Sequence, residues 1–126
     1  MAEPFRILLV EDEPVIRGLV ETLLTTADVQ VACAESGPDA IKQARAQPFD
    51  LYLLDIVLPG LDGVAVLRML RADPKNLDKP VYMLSAKQKS ADVQTALRAG
   101  ATGYIQKPFR GVELMDLVEK HRAAKP

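Results

Sequence analysis

Residues 51–63 read LYLLDIVLPGLDG, and this stretch decides how the rest of the chain is interpreted. An apolar run that ends in Asp55 has the composition of a strand buried within a sheet. Pro59-Gly60 is then typical of a turn, and Asp62 can cap a following helix. A carboxylate beside the core costs several kcal/mol unless its charge is compensated. Asp55 therefore either marks the point where a strand leaves the core or belongs to a polar site.

The composition is that of one globular domain. Of the 126 residues, 48% are apolar and 26% are charged, unlike a disordered or membrane-spanning chain. The net charge of −1 argues against direct binding to nucleic acid or to an anionic membrane surface. The single cysteine, Cys33, cannot form an internal disulfide, and no apolar run reaches the ~20 residues of a membrane span. We therefore expect a cytoplasmic protein whose partners are neither nucleic acid nor membrane.

Five short apolar runs alternate with five segments of helical period. The predicted strands are Arg6–Val10, Val29–Ala34, Leu51–Asp55, Val81–Ser85 and Gly103–Gln106. The helices between and after them carry start and stop signals, namely Pro14, Pro38, Asp62 and Gly100. Strict alternation predicts a doubly wound α/β fold, with a five-stranded parallel sheet and helices on both faces. In such sheets, ligands bind beyond the carboxyl ends of the strands.

Polar residues of complementary chemistry stand at four of these strand ends. They are Glu11 and Asp12 after the first strand, Asp55 at the third, Ser85 at the fourth and Lys107 after the fifth. If strands 1, 3, 4 and 5 are neighbours, all of these groups meet at one edge of the sheet. Three carboxylates held together repel one another unless a cation joins them, and oxygen ligands with room for water suit Mg²⁺.

This edge of the sheet would have the groups needed for phosphoryl transfer. A carboxylate such as that of Asp55 can take up a phosphoryl group as an acyl phosphate. The reaction depends mainly on positioning and on neutralising the charge of the phosphoryl oxygens. The metal would serve one oxygen, the Lys107 ammonium a second and the Ser85 hydroxyl a third. The place of Asp55 at the tip of its strand then has a chemical reason.

Over residues 5–122 the chain resembles the receiver domains of two-component response regulators. The matching motifs are LLVEDE, LLDIVLPGLDG, MLSA and AGATGYIQKPF, in this order. Ser85 follows Asp55 after 30 positions and Lys107 follows it after 52, spacings similar to those of the single-domain chemotaxis members. The resemblance implies a flavodoxin-like (βα)5 fold with the strand order 2-1-3-4-5. Residues 1–4 and 123–126 would be flexible termini.

The resemblance also implies a role for each residue around the phosphorylation site. Asp55 would be the phosphoacceptor, charged by the phosphohistidine of a sensor histidine kinase or by a phosphotransfer protein. Asp12, Asp55 and the main-chain carbonyl of Val57 would bind Mg²⁺, whereas Glu11 would act largely through water. Lys107 would pair with the phosphoryl group.

Ser85 and Tyr104 resemble the switch pair of the family. When the phosphoryl group draws the Ser85 hydroxyl inward, the Tyr104 ring would rotate into the vacated space. The surface of helix 4, strand 5 and helix 5, roughly residues 90–122, would then bind a downstream effector, and it could also form a phosphorylation-dependent homodimer. The Lys107–Pro108 bond is expected to be cis.

Two positions near the predicted phosphoacceptor depart from the common family pattern. Val57 and Lys87 stand two positions after Asp55 and Ser85, where many members have a polar or acidic group that can hold a water. Val57 has no polar atom, and the Lys87 ammonium can donate but not accept a hydrogen bond. Since hydrolysis of an acyl phosphate needs an oriented water, we predict a long-lived phosphoryl group.

Two other functions fit parts of the pattern. A Mg²⁺-dependent phosphohydrolase could also use Asp55, but such an enzyme normally needs a second acid two positions later, where Val57 stands. A receiver that serves only as a scaffold usually lacks a key residue, and here all of them are present. We therefore expect an interaction module that transfers phosphoryl groups to and from its own Asp55, without turnover of a separate substrate.

A plain structural interpretation stays open for several residues. Asp55 could be a strand-terminal acid, and Tyr104 could be a fixed, half-buried aromatic of the core. Cys33 is expected to be an inert buried thiol. His121 is expected to be a surface histidine stabilised by the helix dipole.

Overall fold

Strands and helices alternate along the chain in the computed structural model, which describes residues 3–25, 28–86 and 90–125. The strands are β1 (Phe5–Val10), β2 (Val29–Ala34), β3 (Leu51–Asp55), β4 (Val81–Ser85) and β5 (Gly103–Gln106). The helices are α1 (Pro14–Leu24), α2 (Gly37–Ala46), α3 (Gly63–Ala72), α4 (Ser90–Arg98) and α5 (Gly111–Ala124), with a 3₁₀ turn at Pro74–Asn76. Only β1 differs from the predicted strand bounds, since it begins one residue earlier.

The strands form one parallel sheet in the order β2-β1-β3-β4-β5. This order confirms the predicted doubly wound, flavodoxin-like fold. β3 pairs with β4 so that Asp55 lies opposite Leu84, and β4 pairs with β5 so that Ser85 lies opposite Gln106. The carboxyl ends of β1, β3, β4 and β5 therefore meet at the edge that carries the polar residues.

The sheet has an apolar core on each face. All five residues of β3 are buried, as expected for a strand covered on both sides. The core beneath α2, α3 and α4 includes Leu8, Leu54, Leu67, Met83 and Ala96. The core beneath α1 and α5 includes Ile7, Leu9, Val20, Leu53 and Leu114. Among the described residues, no helix combines the length and the apolar character that crossing a membrane requires.

The helix ends follow the predicted signals closely. Pro14 lies in the first turn of α1, and Asp62 caps α3 by accepting a hydrogen bond of 2.8 Å from the Ala65 amide. α2 begins at Gly37, one residue earlier than predicted. Gly100 follows α4 with a φ of 110°, a conformation that favours glycine. Local chain chemistry therefore sets the boundaries of these helices.

Gly63 allows α3 to begin directly beside the end of β3. A Cβ atom at this position would lie 2.1 Å from the Asp55 carbonyl oxygen, a distance that no side chain tolerates. The Gly63 amide donates a hydrogen bond of 2.9 Å to the Ile56 carbonyl. This close packing fixes the backbone that carries Asp55.

The carboxyl-terminal helix extends further than the sequence suggests. Ala123 and Ala124, expected in a flexible tail, are the last two residues of α5. Lys125 Nζ then contacts Asp50 Oδ2 at 3.1 Å, at the start of β3. The helical part of the chain therefore exceeds the predicted domain boundary at residue 122.

Two side chains lie in environments other than the expected ones. His121 is half-buried, with Nε2 2.7 Å from the Tyr82 hydroxyl, so it is not a plain surface histidine. Cys33 is only half-buried, yet burial and the charge of Glu21 raise the pKa of its thiol to about 11. The thiol therefore stays protonated near neutral pH, which agrees with an inert side chain.

Candidate functional site

A cavity of about 270 Å³ opens where the carboxyl ends of the strands meet. It is lined by Asp12, Glu13, Asp55, Ile56, Val57, Ser85, Ala86 and Lys107. Five of the seven predicted site residues are in this lining. Of the other two, Glu11 is buried beside Lys107 and Tyr104 lies outside the cavity.

Three carboxylates from two neighbouring strand ends converge at this edge. Glu11, Asp12 and Asp55 each offer a ligand atom, and these atoms lie within 4.8 Å of one another. Glu11 is fully buried and Asp55 is 7% exposed, whereas Asp12 is exposed to solvent. Carboxylates at this distance repel one another in the absence of a cation. The cluster therefore has the oxygen ligands that a divalent cation such as Mg²⁺ prefers.

The Lys107 ammonium lies among these acids. Its Nζ donates a hydrogen bond of 2.9 Å to Asp55 Oδ2 and another to Glu11 Oε1. Burial lowers the pKa of Lys107, but the hydrogen bonds to Glu11 and Asp55 outweigh this effect and raise the pKa above its ordinary value. The Lys107 amide donates to the Ser85 carbonyl at 2.6 Å, and the Lys107–Pro108 bond is cis, as predicted. The end of β5 is thereby joined to the end of β4.

The buried carboxyl of Glu11 has a raised pKa. Burial raises the pKa of its carboxyl, and the charge of Asp55 raises it further. The hydrogen bond from Lys107 lowers the pKa but does not cancel these effects, so the pKa of Glu11 is about 7. Glu11 is therefore partly protonated near neutral pH when no cation is bound. A divalent cation at the cluster would favour the ionised form, because a nearby opposite charge lowers a carboxyl pKa.

The two oxygens of Asp55 have different partners. Oδ1 accepts a hydrogen bond of 3.0 Å from the Val57 amide, while Oδ2 accepts the hydrogen bond from Lys107. The Val57 side chain is 65% exposed at the mouth of the cavity. The Asp55 carboxylate is thus oriented by a backbone amide and a lysine, beside an apolar side chain at the entrance.

Arg17 also contacts the backbone of the acidic cluster, which its position in the sequence did not predict. Its Nη1 donates a hydrogen bond of 3.0 Å to the Glu11 carbonyl, and its Nη2 lies 3.4 Å from Glu35 Oε1. The only available signal was its position in the first turns of α1, six residues after Glu11. That spacing does not show which way the side chain turns.

Ser85 and Tyr104 have contrasting environments. Ser85 is 4% exposed and lines the cavity together with Asp55 and Lys107. Tyr104 lies opposite Met83 in the sheet and is 41% exposed. Tyr104 is therefore more exposed than a half-buried aromatic of the core would be. Lys87, the other residue predicted to overhang the site, lies outside the described residues.

Comparison with known proteins places this geometry in a family. The family model described as "Response regulator receiver domain" matches residues 7–119. The transcriptional regulatory protein CseB of Streptomyces coelicolor is 40% identical over 115 residues, which are 91% of this chain and 48% of CseB. The chain therefore spans about half the length of this curated relative.

Solved structures show the same architecture. The chemotaxis protein CheY4 of Vibrio cholerae has a TM-score of 0.87 and 27% identity, covering 94% of this chain and 98% of CheY4. The receiver domain of the sensor histidine kinase PA1611 from Pseudomonas aeruginosa, solved with a magnesium ion in its active-site cleft, has a TM-score of 0.84 and 33% identity, covering 93% and 96%. The fold, the family model and these relatives agree: this chain belongs to the response-regulator receiver domain family of two-component signal transduction.

Proposed function

We propose that the chain is a phosphorylation-controlled receiver whose Asp55 accepts a phosphoryl group from the phosphohistidine of a sensor histidine kinase or from a phosphotransfer protein. Family membership supports signalling by phosphorylation. The observation that carries the assignment to Asp55 is its place at the tip of β3, with Lys107 Nζ 2.9 Å from Oδ2. Glu11 and Asp12 complete an acidic cluster around it.

The ligand set of this cluster fits a Mg²⁺ ion. Asp12, Asp55 and the main-chain carbonyl of Val57 would hold the ion. Glu11 would act largely through water, an indirect role that agrees with its hydrogen bond to Lys107. When bound, Mg²⁺ would neutralise charge on the phosphoryl oxygens. The magnesium ion in the similar PA1611 receiver supports this choice of metal by analogy.

The side chains present account for the transfer itself. An Asp55 carboxylate oxygen attacks phosphorus, a P–O bond forms as the P–N bond of the phosphohistidine breaks, and the donor imidazole keeps the electron pair of the broken bond. The Val57 amide orients the attacking carboxylate through Oδ1. Lys107 then pairs with one phosphoryl oxygen, and the Ser85 hydroxyl donates to another. Attack by water on phosphorus later regenerates Asp55 and releases phosphate.

The output of this switch would be a protein contact through α4, β5 and α5. Tyr104 on β5 is 41% exposed, and Val112 and Met115 on α5 are 52% and 50% exposed. Apolar side chains in such positions suit a downstream protein, or a second copy of the chain in a phosphorylation-dependent homodimer. CseB is named a transcriptional regulatory protein, but this chain matches only 48% of it. The net charge of −1 supports a protein partner rather than direct contact with nucleic acid.

A phosphohydrolase remains the weaker alternative. Such an enzyme normally needs a second acid two positions after its nucleophile to protonate the leaving group. The mouth has Val57 at the expected position, and this side chain has no proton to donate. We therefore propose that phosphoryl transfer stays on Asp55 of the chain itself.

The test is phosphorylation by acetyl phosphate, followed by intact-mass measurement with Mg²⁺ and with EDTA. Wild type should gain one phosphoryl group only with Mg²⁺, and Asp55→Asn should gain none. The matched control is Asp62→Asn, which makes the same change at a helix cap where asparagine serves equally well. It should be labelled like wild type. Wild-type labelling of Asp55→Asn, or no effect of EDTA, would refute the assignment.

A further inference from the structure

We infer that Arg17 is a positioning residue for the cation site: it fixes the peptide unit that joins Glu11 to Asp12, and so sets where these two carboxylates stand. The inference rests on the proposed function, since it concerns the Mg²⁺ that this function requires. Arg17 is not in the lining of the cavity, so it would act without touching the metal or the phosphoryl group.

The first argument is the hydrogen bonding of Glu11. Its amide donates to the Ala34 carbonyl at 3.0 Å, and its Oε2 accepts a hydrogen bond of 3.3 Å from the Glu13 amide. Its carbonyl lies beyond the last paired residue of β1, and Arg17 Nη1 donates to it at 3.0 Å. Arg17 therefore supplies a side-chain donor where the sheet ladder has ended. Without it, this peptide unit would lose the hydrogen bond at its oxygen.

The second argument is where that peptide unit lies. It carries Glu11 on one side and Asp12 on the other, so its rotation would move two of the three residues of the acidic cluster at once. Hydrogen bonds from charged donors contribute about 1.5–3 kcal/mol, more than a neutral one. Arg17 has a side-chain exposure of 16%, so solvent competes little for its guanidinium. The contact is strong enough to hold the turn in one arrangement.

Arg17 also contacts Glu35, but this second contact is the weaker one. Glu35 is 75% exposed, and its oxygen lies 3.4 Å from Nη2, which is the geometry of a surface ion pair. Such pairs contribute roughly 0–1 kcal/mol. The Glu11 carbonyl is therefore the partner that matters for the site. Residues that orient metal ligands from outside typically change metal affinity by about 10–100-fold when they are removed.

The experiment is titration of Mg²⁺ alone into metal-free protein by isothermal calorimetry. Arg17→Met keeps the aliphatic stem and removes both contacts, whereas Glu35→Gln removes only the ion pair. We expect the Kd of Arg17→Met to rise about tenfold and that of Glu35→Gln to stay within about twofold of wild type. In phosphorylation by acetyl phosphate, Arg17→Met should need about tenfold more Mg²⁺ for half-maximal rate and reach a similar maximal rate at saturation.

Val20→Ala is the control for general loosening of α1. Val20 is fully buried in the same helix, so its truncation should lower the unfolding temperature in EDTA while leaving the Kd for Mg²⁺ close to wild type. If Val20→Ala or Glu35→Gln weakens Mg²⁺ as much as Arg17→Met does, or if folded Arg17→Met binds like wild type, the inference is wrong. If Arg17→Met does not fold, Arg17→Leu, which likewise has no hydrogen-bond donor, replaces it, and an unchanged Kd there also overturns the inference. Absence of Mg²⁺ binding by wild type would instead refute the metal site of the proposed function.

Discussion

Among single residues, Val57 determines whether a water molecule can be held by a hydrogen bond at the entrance of the site. Its amide is engaged with Asp55 Oδ1, and its exposed side chain has no atom that can hold a water by a hydrogen bond. Hydrolysis of the proposed acyl phosphate needs a water in line with the departing carboxylate oxygen. We therefore expect a slow loss of the phosphoryl group. Lys87, which lies outside the described residues, has an ammonium group that cannot accept a proton.

The measurement is the decay of phosphorylated protein after the donor is removed. Val57→Asn and Lys87→Glu each introduce a group that can accept a hydrogen bond, so both should speed the decay. An orientation barrier lowered by ~1.4 kcal/mol would appear as about tenfold in rate. Val57→Ala is the control, because it opens the entrance without adding a polar atom. Decay of both polar variants at the wild-type rate, or below it, would show that water access past these residues does not set the lifetime.

The residues of the site differ in how far they could be predicted. Asp12, Asp55, Ser85 and Lys107 were identifiable because parallel strands bring their carboxyl ends to one edge, and the structure indeed collects all four around one cavity. Arg17 could not be identified in this way, because it acts on a backbone carbonyl rather than through strand-end chemistry.

At the scale of elements, the α4–β5–α5 surface is the part that phosphorylation should rearrange. Ser85 lines the cavity at the end of β4, and Tyr104 lies partly exposed on the neighbouring β5, so the two could couple the site to this surface. BeF₃⁻ with Mg²⁺ should therefore shift the NMR signals of residues 86–110, and Ser85→Ala should keep phosphorylation but reduce these distal shifts. The control is Thr22→Ala, which removes an exposed hydroxyl on α1 and should change neither phosphorylation nor the distal NMR shifts. Distal shifts of full size in Ser85→Ala would mean that the hydroxyl does not carry the coupling.

The attachment of α5 to β4 should depend on pH. Burial, and then the charge of Lys120, lower the pKa of His121 below its ordinary value of 6.5, and the Tyr82 hydroxyl lies 2.7 Å from Nε2. The folded state thus binds this proton less readily than the unfolded state. The stabilising contribution is present above pH 6.5 and is lost as pH falls below 6.5 towards the lowered pKa.

Denaturant unfolding of wild type and His121→Gln across this range is the measurement. The glutamine variant stays neutral, so its free energy of unfolding should fall less steeply on acidification than that of wild type. Glu11 also titrates near neutral pH, and taking the difference between the two proteins removes its contribution. Parallel pH profiles for the two proteins would contradict the role of His121.

The elements themselves were largely predictable from local chemistry. The apolar run of β3 forms the expected strand, because such a run is stable only when it is buried on both faces of the sheet. Asp62 caps α3 as expected, because its side chain can accept a hydrogen bond from an amide of the first turn. Ala123 and Ala124 were wrongly expected in a flexible tail, although alanine is the strongest helix former and the first stop signal after them is Pro126. The contact between Tyr82 and His121 was missed because it joins residues 39 positions apart. Pairing of side chains across the fold requires the packed arrangement of helix on sheet.

At the scale of the whole molecule, the acidic cluster makes stability depend on the cation. The metal-free fold holds three carboxylates within 4.8 Å, with Glu11 partly protonated, and this arrangement opposes folding. An ion that binds only the folded state stabilises it by RT ln(1 + [Mg²⁺]/Kd), which is about 2.7 kcal/mol at 100 times the Kd. For a domain of this size, we expect the unfolding temperature to rise by roughly 5–15 °C between EDTA and saturating Mg²⁺.

Two variants test how much each proposed ligand contributes to the Mg²⁺-dependent rise in unfolding temperature. Asp12→Ala should abolish most of the Mg²⁺-dependent rise in unfolding temperature, because Asp12 is proposed to bind the ion directly. Glu11→Ala should reduce the rise less, because its contact is proposed to run through water. Asp12→Ala also relieves repulsion among the carboxylates, so it should be more stable than wild type in EDTA. Differential scanning calorimetry at constant ionic strength separates the two effects, since only the metal-dependent part varies with Mg²⁺ concentration. Equal Mg²⁺-dependent shifts in Asp12→Ala and Glu11→Ala would reject the proposed order of the ligands, and a full shift in Asp12→Ala would place the ion elsewhere.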